Sequence, residues 1–427
     1  MKLTVVTLIV LLFSFFFSCL LVTADASSAG FSRTYGLGQG RSVIQTDDGG
    51  YAIAGNAQPW SLPREEEGGF LLIKSDSFGE VQWEKNFGSG AAYAVVQVSD
   101  SGYVLVGSGT LFNFIKTDSH GNMQWNRSYP FQAYSVIQTT DGGYVLAGYG
   151  ESSGGGYDVW LVKTDAEGDM QWHKTYGGFN CDLYLYEWLA PYPLLEAEDG
   201  GFVIVSSTSA FGAGDVDAWL IKTDVEGNAQ WNRTYGGTGE EYASFVAKTS
   251  DGGYLLTGWT ESFGAGGRDS WLVKTDYQGN IQWNRTYGVE TYDYFYSVVQ
   301  MPDGGYLGTK SVQHSVGDWF FSAEVVKMYA SGDVEFTINY PSTSDMMRMD
   351  ARFILDTDDG GYVFTGHQTT ADDPHVSREY VWLVKIDPSD IPEFPSWIIP
   401  PIFFIVTLVI VIFRKNMDRK DKAGNYL

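Results

Sequence analysis

An Asp-Gly-Gly-aromatic motif recurs along this chain and limits what it can fold into more than any other feature. It stands at Asp48–Tyr51, Asp141–Tyr144, Asp199–Phe202, Asp251–Tyr254, Asp303–Tyr306 and Asp359–Tyr362, with a variant at Asp100-Ser101-Gly102-Tyr103. The aromatic positions are separated by 52, 41, 58, 52, 52 and 56 residues. Self-similarity at a period near 50 is the mark of an array or a propeller, because one such unit cannot bury its own apolar faces.

Each unit decodes as four strands. In the fifth, Phe245–Thr249 leads through a Ser-Asp-Gly-Gly turn into Tyr254–Gly258. A glycine-rich loop follows, then Ser270–Thr275, the tight turn Asp276-Tyr277-Gln278-Gly279-Asn280, and Ile281–Tyr287. Turn chemistry flanked by β-branched and aromatic residues marks hairpins. The first strands are apolar at nearly every position, which suits sheets covered on both faces. The last strand alternates, as an exposed edge does. The seventh unit stops after Val381–Asp387 without a fourth strand, while Phe31-Ser32-Arg33-Thr34-Tyr35-Gly36 matches the fourth-strand wording Trp231-Asn232-Arg233-Thr234-Tyr235-Gly236. The expected fold is therefore all-β: a seven-bladed β-propeller of four-stranded blades over residues 31–387, closed by an N-terminal strand. An open solenoid is the alternative, although nothing in the sequence reads as a capping repeat.

The repeat wording, Asp-Gly-Gly-Tyr, then Trp-Leu-Val-Lys-Thr-Asp, then Gly-Asn-x-Gln-Trp-Asn-Arg-Thr-Tyr-Gly-Gly, resembles secreted and cell-surface propeller-repeat proteins of bacteria and archaea. The resemblance covers the whole repeat region and implies the fold; it carries no specific activity. The Trp-bearing hairpin also resembles the tryptophan-docking repeats of quinoprotein dehydrogenases, but the adjacent cysteines of those enzymes have no counterpart here.

The ends differ from the repeats. An apolar run from Leu3 to Val22 followed by small residues reads as a signal peptide over 1–24, with an uncleaved N-terminal anchor as the alternative. Cleavage would remove Cys19 and leave Cys181 as the sole cysteine, with no internal disulfide. At the other end, a Pro-rich linker (388–397) precedes an apolar stretch over 398–413, expected as a transmembrane helix, and a basic tail over 414–427. Positive charge after the span places the tail in the cytoplasm and the ring outside, as in a type I single-pass membrane protein at the cell surface. Pro392-Glu393-Phe394 ahead of the span resembles the C-terminal sorting signal of archaeal surface proteins. That resemblance implies a sortase-like processing enzyme as a partner; a plain anchor is the competing reading.

Charge narrows the function. With 27 Lys+Arg against 52 Asp+Glu the chain carries −25, which argues against a nucleic-acid partner. Net charge of this size also favours a monomeric ring. The tight hairpins hardly vary, whereas the second-to-third-strand loops and the unit-to-unit connections vary in length and chemistry. The face carrying them is thus the expected binding face. It is acidic and aromatic, and candidate ligand residues there are Tyr184, Tyr186, Trp188, Tyr192, Glu240, Glu241 and Asp269, a set suited to cations or sugars. A second candidate is a polar ring along the channel, from Gln45, Gln97, Gln138, Glu196, Lys248, Gln300 and Asp356. Asn126, Asn232 and Asn284 head N-glycosylation sequons, which the repeat wording itself also explains.

No catalytic motif stands out, the five histidines lack metal-ligand spacing, and no cofactor is expected. Calcium at Asp165, Asp224 or Asp276 would need ligands at alternate positions, and the spacing is that of an ordinary turn. Two functions remain. One is a surface-anchored binding or adhesion module for envelope polymers, glycans or surface proteins. The other is an extracellular polysaccharide hydrolase or lyase using loop carboxylates.

Overall fold

The computed structural model describes residues 23–25, 30–57, 69–109, 113–151, 156–177, 194–288, 291–314, 321–341, 346–373 and 376–391. The segments read from sequence as signal peptide, transmembrane span, basic tail and Pro392-Glu393-Phe394 lie outside these residues, apart from Thr23 and Ala24. Among the described residues no helix is long and apolar enough to cross a membrane.

The described chain to Ile386 is an all-β, propeller-like succession of antiparallel meanders. Four are separate four-stranded sheets, built on Ala91–Gln97, Gln132–Gln138, Leu194–Glu196 and Glu241–Lys248 as first strands. The others share a larger sheet, in which Asp293–Gln300 begins one meander and Met346–Asp356 another. We number the repeats unit 1 to unit 7 by their Asp-Gly-Gly turns. The long strand Phe31–Gln45 serves two of them: residues 38–45 pair with Tyr51–Ala57 of unit 1, while residues 31–34 pair with Lys385–Trp382 of unit 7. The missing fourth strand of the last unit is therefore supplied by the N-terminal end of the repeat region.

The burial pattern explains why the strands lie where they do. Third strands such as Asp269–Thr275 are buried throughout, whereas every residue of the fourth strand Ile281–Tyr287 is exposed or half-buried. Apolar side chains on both faces of each sheet meet the neighbouring unit. Val145, Ala147 and Leu161 of unit 3 pack on Phe202, Ile204 and Ile221 of unit 4. Unit 1 packs on unit 7 in the same way, through Val43, Ile53 and Ile73 against Val363, Val381 and Leu383. Each fully buried Leu, Ile or Val contributes about 1.5–3 kcal/mol, so these inter-sheet layers supply the main driving force.

Two repeated contacts fix the geometry. Within each unit, the Lys of the third strand buries its stem and pairs with the Asp of the Asp-Gly-Gly turn, as in Lys274–Asp251 at 2.8 Å and Lys385–Asp359 at 2.8 Å. The same Asp251 accepts from Thr249 Oγ1 and Gly253 N, and Lys274 also donates to Thr275 O. Burial alone would raise these carboxyls. The hydrogen bonds and the ammonium outweigh it, holding Asp48, Asp141, Asp251 and Asp359 at about 2.

Between units, the fourth-strand Trp lies against the glycine of the next unit's tight turn: Trp172 against Gly227, Trp231 against Gly279. A Cβ on Gly279, whose φ is +78°, would stand 2.8 Å from the Trp231 ring, so glycine is required there. The Tyr four residues on donates to that glycine's carbonyl, as Tyr235 does to Gly279 at 2.7 Å. Phe31 takes the Trp position at the start of the repeats and meets Gly79, while Tyr35 donates to Gly79 O at 2.9 Å.

Candidate functional site

The polar residues expected to line a channel are engaged mainly with neighbouring hairpins. Gln97 Oε1 accepts from Asp47 N of unit 1, Gln138 Oε1 from Ser99 N of unit 2, and Gln300 Oε1 from Ser250 N of unit 5. Gln45 Oε1 accepts from Asp358 N of unit 7, linking the first and last units by the same bond. The Nε2 groups of Gln97, Gln138 and Gln300 donate to their own turns. Lys248, at the equivalent place in unit 5, pairs with Glu198 of unit 4 at 3.0 Å. Glu196 and Asp356 are exposed. The row is thus largely a belt of inter-unit clasps. Beyond it, Phe245 of unit 5 meets Phe353 of unit 7 edge-on at 5.9 Å, a contact between units that are not neighbours in sequence.

On the opposite, variable side, each described first strand except the short one of unit 4 carries a β-bulge at one equivalent step: 40/42, 92/94, 133/135, 243/245, 295/297 and 351/353. A bulge re-aims its extra residue. The extra residues are Arg41, Tyr93, Tyr134, Ser244, Tyr296 and Arg352, all buried. Adjacent units fill this position alike in two places: units 2 and 3, whose Tyr93 and Tyr134 rings stack at 4.5 Å, and units 7 and 1, with Arg352 and Arg41. The second strands add Asn56, Tyr149, Trp259, Ser311 and His367 at a matching height. These residues lie at one level toward the variable side, referred to below as the funnel, and fall into two groups.

The charged arc belongs to units 7 and 1. Asp350 is fully buried and receives Arg348 Nε at 2.9 Å, Ser311 Oγ at 2.8 Å and His367 Nε2 at 3.3 Å, with Arg352 Nη2 at 3.6 Å. Burial would raise its pKa, but Arg348, His367 and Arg352 hold it well below the carboxylate range. His367 is driven well below its ordinary value, first by burial and then by the arginines, so its ring is neutral at pH 7. A hydrogen-bonded chain runs on from Glu379 through Gln39 Nε2 (2.6 Å) and Gln39 Oε1 to Arg41 Nη2 (3.1 Å), and Arg41 Nε donates to Asn56. Burial raises Glu379 despite Gln39 and the arginines.

The aromatic arc adjoins it on both sides. Arg41 sits 4.9 Å over Tyr93. In units 5 and 6, Tyr242 stacks on Trp259 at 4.6 Å, and Arg268 covers Trp259 at 4.1 Å. Tyr294 bridges Trp259 and Phe321, and Arg348 lies 4.7 Å over Phe321. Arg268 also pairs with Glu261 and Glu240.

The sequence-chosen acids occupy other roles. Asp269 Oδ2 accepts from Ala265 N and Gly266 N, closing the Phe-Gly-Ala-Gly loop; Asp217 does the same for its counterpart through Ala213 N and Gly214 N. Glu241 accepts from Gly237 N, Thr260 Oγ1 and Ser262 N. Burial raises the pKa of Asp217 and Asp269 against these donors, and raises Glu240 with help from Glu261. Glu241 and Asp269 thus hold loops, and Glu240 is a partner of Arg268. Tyr184, Tyr186, Trp188 and Tyr192 lie outside the described residues.

Asn126, Asn232 and Asn284 are exposed on fourth strands. In the tight turns both oxygens of Asp224 and Asp276 serve backbone and Asn donors. Among the described residues no group of three or more His, Cys, Asp or Glu is placed to hold a metal. Sequence reading missed the bulge residues, because the bulge is a two-against-one register visible only once the strands are paired. The available hint was a column four residues before each clasp position that holds Arg, Tyr, Tyr, Ser, Tyr and Arg.

No family model matches the chain, and no curated protein matches it. Among solved structures it is similar to the WD40 β-propeller domain of Doa1, at 13% identity and a TM-score of 0.50, over 84% of this chain and 98% of that one. It is also similar to the β-propeller domain of Myceliophteria thermophila Cps50 (Swd1), at 8% identity and a TM-score of 0.49, over 83% and 98%. A structure of YCF48 bound to D1 peptide aligns at 10% identity and a TM-score of 0.47, over 86% and 99%. At such identity the likeness to the Doa1 domain establishes a propeller fold and nothing more specific.

Proposed function

We propose that this chain is a closed seven-bladed β-propeller that works as an extracellular interaction module, binding its ligand at the funnel on the variable side. Support for closure comes from the pairing of residues 31–34 with Lys385–Trp382, the packing of Val43 on Val381 and its neighbours, and the Gln45–Asp358 clasp. Display outside the cell, a type I anchor, glycosylation of the sequons and sortase-like trimming at Pro392-Glu393-Phe394 rest on the sequence reading.

One observation carries the binding assignment. The Lys–Asp pair of the hairpin repeats in all seven units, while the bulge residues at one shared height are Arg, Tyr or Ser. A ring that needed only stability would have no use for that divergence; a surface that reads a ligand would. Envelope polymers, glycans and surface proteins are the ligand classes in view. The hydrolase or lyase reading draws less support, because Glu241 and Asp269 are occupied in loop closure.

The test is binding of the full-length chain to immobilised envelope fractions and a glycan array. Tyr292→Ala and Arg348→Gln on the variable side would be compared with Phe78→Ala in a hairpin turn. Loss confined to the first two supports the assignment. Binding that survives both and fails with Phe78→Ala overturns it.

A further inference from the structure

The chain as a whole is acidic, yet the charged arc gathers three nearly buried guanidiniums, Arg41, Arg348 and Arg352, around two carboxylates, Asp350 and Glu379. Strand register places Arg348, Thr369 and Glu379 side by side on one sheet face, with Asp350 and His367 in the next row but one. In this arc Thr369 Oγ1 and His367 Nδ1 are buried with no hydrogen-bond partner among the described residues. Leaving such groups unmet costs about 1–3 kcal/mol each, so their presence beside a cationic centre points to a missing partner. Arg348 is the guanidinium with the most open side chain, at 18%. From it a run of ring contacts leads through Phe321, Tyr294 and Trp259 to Arg268 and on to Tyr292, a residue 45% exposed.

Deepening the binding assignment above, on which it rests, we propose that this funnel takes an anionic polysaccharide whose sugar rings carry carboxylates, of the uronic-acid class. A ring-borne carboxylate meets the Arg348 guanidinium and the Thr369 hydroxyl, and a neighbouring sugar ring lies on Tyr292. Charge-assisted hydrogen bonds supply affinity for the carboxylate, and the aromatic face supplies preference for a sugar over other anions. A polymer with a carboxylate on each ring satisfies both groups at once, which neither a neutral glycan nor a flexible acidic peptide does.

The experiment uses the full-length chain with three probes: polygalacturonate, the same polymer fully methyl-esterified, and poly-glutamate. Polygalacturonate is expected to bind at least about tenfold more tightly than its ester, and to weaken as salt rises. It should also exceed poly-glutamate. Arg348→Gln should lose about tenfold toward polygalacturonate, and Arg348→Lys, which keeps the charge but not the planar fork, should lose less than Arg348→Gln. Tyr292→Ala, at an exposed position that leaves the Asp350 cluster intact, should lose about three- to tenfold. Equal binding of the acid and ester polymers, equal binding of poly-glutamate, or no effect of Tyr292→Ala overturns the proposal. Neutral glycans or proteins binding at the funnel while polygalacturonate does not would sink this inference alone. Binding of no probe, fraction or glycan there would sink the broader assignment as well.

Discussion

Lys274 and Arg352 are both buried cations held by an aspartate, and they stand for two ends of the molecule. Lys274 is one of seven equivalents, each reaching the Asp of its own hairpin, at 2.8 or 2.9 Å in six units and at 3.4 Å for Lys327. Arg352 has a single counterpart in kind, Arg41 in the next unit, and its other equivalents are Tyr and Ser. At the hairpin end, repetition solves a construction problem: every sheet must hold its own turn and dock on the next. At the funnel end, the same backbone step carries Arg in two units, Tyr in three and Ser in one. Conformity therefore reports on assembly, and variation at a structurally fixed height is what the proposed recognition rests on.

The comparison can be broken most severely at the junction of the first and last units. Deleting residues 31–36 strips unit 7 of its fourth strand and removes the Phe31 and Tyr35 contacts. We expect loss of cooperative unfolding, read by urea denaturation with fluorescence and circular dichroism together; a single sharp transition near the parent midpoint would contradict it. Trp172→Ala removes one inter-unit docking ring and should cost about 3 kcal/mol, the low end for a large aromatic because the ring is half-buried.

Asp251→Ala leaves the Lys274 ammonium without its carboxylate. The cost should be about 1–2 kcal/mol, below that of a fully buried pair because Asp251 is half-exposed. Tyr292→Ala, by contrast, should move stability by less than about 0.5 kcal/mol while changing binding. If it destabilised the ring as Trp172→Ala does, the division between the two ends would fail.

Acid titration sets two groups of carboxyls against each other. Asp48, Asp141, Asp251 and Asp359 have pKa values of about 2 in the folded state. Their stabilisation is complete above the unfolded value near 4 and is lost as pH falls toward 2. Asp217, Asp269, Glu240 and Glu379 are shifted upward, so the folded state binds more protons than the unfolded one just above pH 4. Their contribution to stability therefore grows as pH falls from neutrality. Thermal unfolding from pH 7 to pH 2 should show a maximum on the acid side of neutrality and a steep fall below pH 4. A monotonic decline from pH 7 would contradict the upward shifts.

The hairpin end was legible in the sequence because its residues act at short range. Asp-Gly-Gly-Tyr and Asp-x-x-Gly-Asn encode turns through their own backbone needs, and the match between Phe31–Gly36 and Trp231–Gly236 located the closing strand. The clasp glutamines stood out as a polar column, though their partners lie about 40 to 50 residues away, or at the far end of the chain for Gln45 and Asp358. Prominence on the variable side misled: Asp269 and Glu241 look like ligand residues in a loop and are used to close that loop. Asp350 and His367 meet across one hairpin with no motif to mark them, and Arg41, hinted at only by its column, joins their arc from the other end of the chain.

The strand Phe31–Gln45 also sets an order of events. Its second half can join unit 1 as soon as the first hairpin is made, but residues 31–34 must wait for Val376–Ile386, some 350 residues later in synthesis. Contacts of such separation are reached slowly, because loop closure comes before any gain from the contact. The first half of this early strand is thus among the last segments to find its partner, and a chain interrupted anywhere before residue 386 keeps two open sheet edges, a lasting mark of incompleteness that aggregation or proteolysis can read.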